Sequence, residues 1–128
     1  YALSNAVEWG AKMIFSVPCC QHELNRQMDT QNLPIFGRYG IVQERLAALT
    51  TDAIRANLLQ ACGYSAQLLE FVDLSHTPKN LLIRAAKRPA MPAASRRRYL
   101  AEVTGVMEQF SLQPTLYRLL EQSGRLPK

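Results

Sequence analysis

Apolar positions along the chain alternate between a helical rhythm and a strand rhythm. Residues 2–9, ALSNAVEW, place Ala2, Leu3, Ala6 and Val7 on one helical face with Trp9 at its margin, and Gly10 stands where a helix stops. AKMIFSVPC follows as a short continuous apolar run, of the kind buried on both faces of a sheet, and Pro18 ends it. Residues 21–28 read as a helical turn or short helix. NLPIFGRYG, with Pro34, Gly37 and Gly40, reads as a loop. VQERLAALTTDAIRANLLQACG is the longest helical pattern, with Leu46, Leu49, Ala53, Ile54, Leu58 and Ala61 roughly in phase and Gly63 at its stop. Thr50, Thr51 and Asp52 also suit the cap of a fresh helix, so one long helix or two shorter ones fit the pattern.

YSAQLLEFVDL and NLLIRAAKR read as strands separated by SHTPKN, a polar connection containing a proline. RPAMPAAS, proline-rich, reads as a linker. SRRRYLAEVTGVMEQF and PTLYRLLEQSG then read as two helices, with Ser95 and Pro114 as starts and Gly124 as a stop. The order helix, strand, helix, strand, strand, helices argues for an α/β sheet with helical cover. In open sheets of that class, ligands gather outside the carboxyl ends of the strands. Pro18 to Asn25 is one such end and SHTPKN another.

At 128 residues the chain is one domain's worth, able to bury about two-thirds of its unfolded surface. No apolar run approaches the roughly 20 residues of a membrane span. The N-terminal stretch has no signal-peptide pattern, and three cysteines, two of them adjacent, do not make a disulfide framework; a reduced, cytoplasmic setting is expected. The chain starts at Tyr1 inside a helical pattern, as a piece of something longer would. Its net charge of +5 is lopsided. Residues 1–78 carry 5 Lys/Arg against 7 Asp/Glu, and residues 79–128 carry 10 against 3. Arg96, Arg97 and Arg98 are the densest basic cluster; a polyanion partner or a solvated helix start accounts for such a run.

Cys19, Cys20 and His22 are too few and too close for an ordinary zinc site unless Cys62 and His76 join them. Adjacent cysteines without a C-x-x-C spacing do not make a thioredoxin-type redox pair. Trp9 and the set Tyr99, Phe110 and Tyr117 are expected in the core rather than on a stacking surface.

VPCCQHELN, GIVQERLAALTTDAIRANLLQACGY and EFVDLSHTPKNLLIRAAKR, in that order, resemble the C-terminal half of a bacterial group of class I S-adenosylmethionine-dependent methyltransferases. That group carries PCCQHEL after its fifth strand and H-T-P-K-N between its last two, and is distantly similar to tRNA methyltransferases. The resemblance covers roughly residues 1–88. It implies an α/β fold, the C-terminal half of a Rossmann-like sheet, with the fifth strand at 11–18 and the sixth at 64–72. The seventh, at 80–87, would run antiparallel between them, and residues 89–128 would form a linker and a helical extension. The glycine-rich cofactor loop of class I enzymes has no counterpart, since no G-x-G occurs in the chain. The S-adenosylmethionine site would then lie mostly upstream of Tyr1, and this polypeptide alone would be inactive.

The resemblance further implies RNA as substrate, with Cys19, Cys20 and His22 at the chemistry and Pro18, Gln21, Asn25, Arg45, Asp52, Arg55, His76, Lys79 and Asn80 around the substrate. Without it, Arg45, Asp52 and Arg55 are surface ion-pair partners on one helix, and His76, Lys79 and Asn80 equally fit a turn closed by side-chain caps. Lys87, Arg88 and Arg96 to Arg98 would meet RNA phosphates; the rival class is a non-catalytic binding module using those basic helices. Two readings of the thiols stay open. RNA cytosine-5 methyltransferases use a strand-end cysteine as nucleophile, and a helix N-terminus favours a thiolate. Alternatively the thiols only pack, and Gln21, His22 and Asn25 form the lip of a pocket. Cys19 is the expected pocket-facing thiol. The edge of strand 11–18 is expected to promote self-association.

Overall fold

Three strands share one sheet because the last of them in sequence lies in the middle. The computed structural model describes residues 1–17, 22–70 and 81–128. Strand β1 (Met13–Ser16), strand β2 (Tyr64–Glu70) and strand β3 (Leu81–Lys87) pair in the order β1-β3-β2, and both pairings are antiparallel. β1 and β2 therefore run in the same direction. The register sets Ile14 opposite Ala85, Ala85 opposite Ala66, and Ser16 opposite Ile83, itself opposite Leu68. The strand order and directions agree with the sequence expectation. What the described residues form is a mixed α/β fold of six helices around this small sheet.

Side chains alternate across a strand, so Ile14, Ile83, Ala85 and Tyr64 share one face and all are buried. Met13, Phe15 and Val17 point the other way and are exposed, Phe15 at 62%. The apolar run at 11–18 was expected to be buried on both faces. Instead only one face is covered, and the strand spans four residues at an edge of the sheet.

Helix α1 (Ala2–Glu8) packs on β1 and buries Leu3 and Val7. Gly10, at φ +66°, turns the chain out of this helix in a conformation that costs other residues strain. Trp9, expected in the core, is 80% exposed: it keeps helical backbone angles, and two residues on from buried Val7 it falls on the opposite side of the helix. Helix α2 (His22–Gln27) is the short helix expected after the strand. Residues 32–40 were expected to be a loop, yet helix α3 (Pro34–Arg38) forms there. Proline at the first turn lacks only an N–H that has no partner there, and its fixed φ suits the helix.

Helix α4 (Gly40–Ala61) runs unbroken for 22 residues. The alternative of a new cap at Thr50–Asp52 fails because the Thr51 hydroxyl donates back to the Ala47 carbonyl, 2.7 Å away. A side chain satisfied inside the helix does not start another one. Ile54, Leu58 and Ala61 are buried as the pattern requires and Leu46 is half-buried, but Leu49 is 57% exposed, Ala53 is exposed, and Leu59, outside the pattern, is buried. Gly63, at φ +93°, then reverses the chain into β2. α4 packs on β2 and β3, and α2, α3 and helix α5 (Ala93–Phe110) pack on α4. α5 begins two residues before the expected Ser95, with Pro92 as its extended N-cap residue. Helix α6 (Thr115–Gln122) follows Pro114 and meets α1 and α4.

One hydrophobic cluster runs through these elements, from Leu3 and Ile14 through Leu58 and Ile83 to Val103, Leu112 and Leu120, with Phe110 and Tyr117 against it. Residues on both sides of Arg88 thus share a core. Leu58→Ala, at a fully buried position, should cost about 2–5 kcal/mol in urea denaturation. Leu49→Ala should stay within about 0.5 kcal/mol, because that side chain faces water. Equal costs at the two positions would contradict the helix orientation.

Candidate functional site

The strand directions fix where the two motif-bearing segments attach. β1 ends at Ser16, β2 ends at Glu70, and β3 begins at Leu81, all at one end of the sheet, its motif edge. Residues 18–21 follow the first of these ends, and residues 71–80 join the other two. Pro18, Cys19, Cys20, Gln21, His76, Lys79 and Asn80 lie outside the described residues, as does the His22 side chain; His22 itself opens α2. Asn25 lies on α2 and is half-buried.

α2 is held by polar side chains that the sequence pattern does not single out. The Glu23 carboxylate accepts the Thr115 backbone N–H at 3.0 Å and the Thr115 hydroxyl as well. Thr115 is the first residue of α6, so Glu23 satisfies a helix N-terminus from another element and places negative charge at the positive end of its dipole. One turn on, the Gln27 side-chain amide oxygen (Oε1) accepts the Gln113 backbone N–H at 2.8 Å, and the Asp29 N–H donates to the Phe110 carbonyl at 2.9 Å. Spacing of four residues between Glu23 and Gln27 puts both on one face. That spacing was the only available signal, and it names no partner.

Asp52 departs most from its expected setting. It is 1% exposed rather than a surface ion-pair residue, and its carboxylate lies 3.7 Å from the Arg55 guanidinium one turn along α4. A carboxylate taken out of water needs such compensation. α4 runs back along β2, so Asp52, about 13 Å before Ala61 along the helix axis, lies toward the edge that carries the motif segments. Arg45 lies two turns earlier and is exposed.

The basic residues divide by environment. Arg96 donates to the Ala61 carbonyl at 2.8 Å and to the Arg125 carbonyl at 3.3 Å. Its guanidinium thereby caps the C-terminal end of α4, where cations are favoured. Arg97 and Arg98 are exposed, Arg98 lying 5.4 Å from the Tyr99 ring centre. Lys87 and Arg88 are exposed at the end of β3.

Cys62 sits between α4 and β2, at the sheet edge opposite the motif segments. Burial pushes its thiol up to about 11, against the nearby Arg96 and Arg125 charges that pull it down. A neutral thiol is a poor nucleophile and a poor metal ligand. A shallow groove of about 480 Å³ lies at the far side of α2, lined by residues 28–31 with Pro34, Gly37 and Arg38. No family model matches the chain, and no characterised protein or solved structure is detectably similar to it.

Two outcomes follow from this geometry. Glu23→Ala should lower stability by about 1–3 kcal/mol, because it strands the Thr115 donors at a helix start. Amide exchange should quicken across α2 and the first turn of α6, and unchanged exchange there would remove the clamp. The raised Cys62 value holds the thiol neutral in the folded state while the unfolded thiol ionises near pH 9. Its stabilising contribution is therefore present below about pH 9 and lost as pH rises to about 11. Denaturation curves of Cys62→Ala should lack that part of the alkaline decline.

Proposed function

We propose that this chain is the substrate-side portion of an S-adenosylmethionine-dependent methyltransferase acting on tRNA or rRNA. The observation that carries the reading is the sheet. Two strands run the same way and the later strand is inserted antiparallel between them, the order implied for the fifth, seventh and sixth strands of that group. PCCQH follows the carboxyl end of β1, and HTPKN lies in the connection that leads from the carboxyl end of β2 into β3; the carboxyl ends of strands are where open α/β sheets collect ligands. The helices before and after β1, α1 and α4, bury their apolar sides in one core with the covered face of the sheet. The opposite face, carrying Met13, Phe15 and Val17, is the one that further helices of such a fold would cover.

The described residues do not fit a cradle for the cofactor. No G-x-G turn exists in the chain, and the groove at residues 28–38 places no glycine-rich turn at a strand end. This reading puts the cofactor site mostly upstream of Tyr1. The chain's own contribution is to bind and orient RNA, the part of methyl transfer in which positioning counts most. Among the described residues, no helix is long and apolar enough to cross a membrane.

The test is transfer of labelled methyl groups from S-adenosylmethionine to tRNA and rRNA fragments by the longest natural polypeptide that carries this sequence. Transfer at a defined base is expected; RNA binding without transfer would leave the binding-module reading in its place. Cys19→Ser should leave cofactor binding intact and slow turnover about tenfold or less, roughly 1.4 kcal/mol of barrier. Loss of several powers of ten, together with loss of a covalent adduct to 5-fluorocytosine RNA, would make Cys19 the nucleophile instead.

A further inference from the structure

Trp9 is the single tryptophan of the chain and is 80% exposed. The apolar side of its helix does not explain it, because Leu3 and Val7 are already buried in the core. Its surroundings are cationic. Lys12 follows three residues later, and its carbonyl accepts the Lys87 N–H at 2.8 Å, which seats the two lysines side by side across β1 and β3. The Lys87 ammonium reaches back toward the turn after Trp9, 3.4 Å from where a Cβ on Gly10 would stand. Arg88 is fixed next to it by its N–H on the Gly63 carbonyl, 2.8 Å away.

Lys12, Lys87 and Arg88 are all exposed, and among the described residues none of them joins an ion pair. The nearest carboxylate in sequence, Glu8, is engaged by Arg125 at 3.2 Å, which holds it below the usual carboxylate range. Like charges set directly across a pair of strands repel. Backbone pairing keeps Lys12 and Lys87 opposite each other with Arg88 the next residue along the chain, so a bound anion would relieve the repulsion between them.

We propose that Trp9, Lys12, Lys87 and Arg88 form a docking site for single-stranded RNA, in which a base stacks on the indole and the flanking phosphates meet the three cations. The inference rests on the reading of RNA as the substrate, but it uses no residue of PCCQH or HTPKN. The site lies at the opposite edge of the sheet, about 20 Å away along the seven residues of β3. An anionic membrane fits less well, since binding to one needs an apolar helix face, and that face of α1 is buried.

The lone tryptophan is its own probe. Titration of the chain with a labelled oligouridine of about 12 nucleotides, within the usual range of single-strand site sizes, should quench Trp9 emission as the RNA binds. Trp9→Leu should weaken binding about tenfold, and Trp9→Phe should restore most of it, both without a change in melting temperature at so exposed a position. Lys12→Gln with Lys87→Gln should flatten the slope of log affinity against log salt by roughly 0.7 for each phosphate left without its cation.

Any of four results overturns the proposal: unchanged Trp9 emission at saturating RNA, full affinity in Trp9→Leu, heparin binding as tightly as RNA, or phosphatidylserine vesicles quenching Trp9 where RNA does not. RNA-dependent quenching, with no methyl transfer by the longest natural polypeptide that carries this sequence, supports this site and removes the methyltransferase reading. Methyl transfer that is undiminished in Trp9→Leu at limiting RNA does the reverse.

Discussion

Everything else in this molecule depends on β3 lying between β1 and β2. A strand with neighbours on both sides can pair its backbone N–H and C=O groups along two ladders, which lets it sit in the interior. Ile83 and Ala85 are accordingly fully buried. The same placement forces β1 and β2 into one direction, and only then do the segments after Ser16 and Glu70 attach at a common edge. Had β3 joined outside β2, as a plain hairpin would allow, its pairing would no longer tie the direction of β1 to that of β2. The two motif segments would then have no reason to attach at a common end of the sheet.

The helical cover is pinned to this sheet by a few polar contacts at element ends. Arg96 closes the exposed carbonyls where α4 stops, Glu23 closes the start of α6, and the Tyr64 hydroxyl donates to the Ala11 carbonyl at 2.6 Å just before β1. Asn57 adds a bond from α4 to the Tyr99 carbonyl at 3.0 Å, tying α4 to α5 midway along its length. Each contact settles a backbone group or helix end that burial would otherwise leave costly. Hydrophobic area brings the helices together, but it is non-directional. Their angle and register follow from where these donors and acceptors fall.

The sequence was legible where a single local rule decided the outcome. The stops at Gly10 and Gly63, the start after Pro114 and the three strands all follow from turn chemistry and apolar runs. It was illegible where two rules competed. Pro34 and Gly37 argue for a loop by composition, but a proline in the first turn of a helix is favourable, and α3 forms. Leu49 is in phase with its helix by simple counting. The inward face of α4 is set by where the sheet and α5 lie, which no spacing in α4 encodes. The fates of Asp52 and Arg96 were hidden for the same reason: each depends on a partner surface supplied by the fold. Of the candidate site, the attachment of its two segments at one end of the sheet was implied only by the family resemblance, because the apolar runs mark strands and not their order. The clamp of Glu23 and Gln27 on the α6 start was not, because its partner lies about ninety residues away.

Apolar and basic residues divide along β3. The edge that carries the motif segments begins with Leu81 and Leu82, whereas the other ends in Lys87 and Arg88. On the proposed reading this division has a physical use. Contacts made far from the reacting base can hold a long polyanion in place, leaving the residues near the base to act on the transition state. The position of Arg96 fits the same division. The most basic run in the chain spends its first guanidinium on a helix end, and its remaining charge lies out on α5, away from the motif edge.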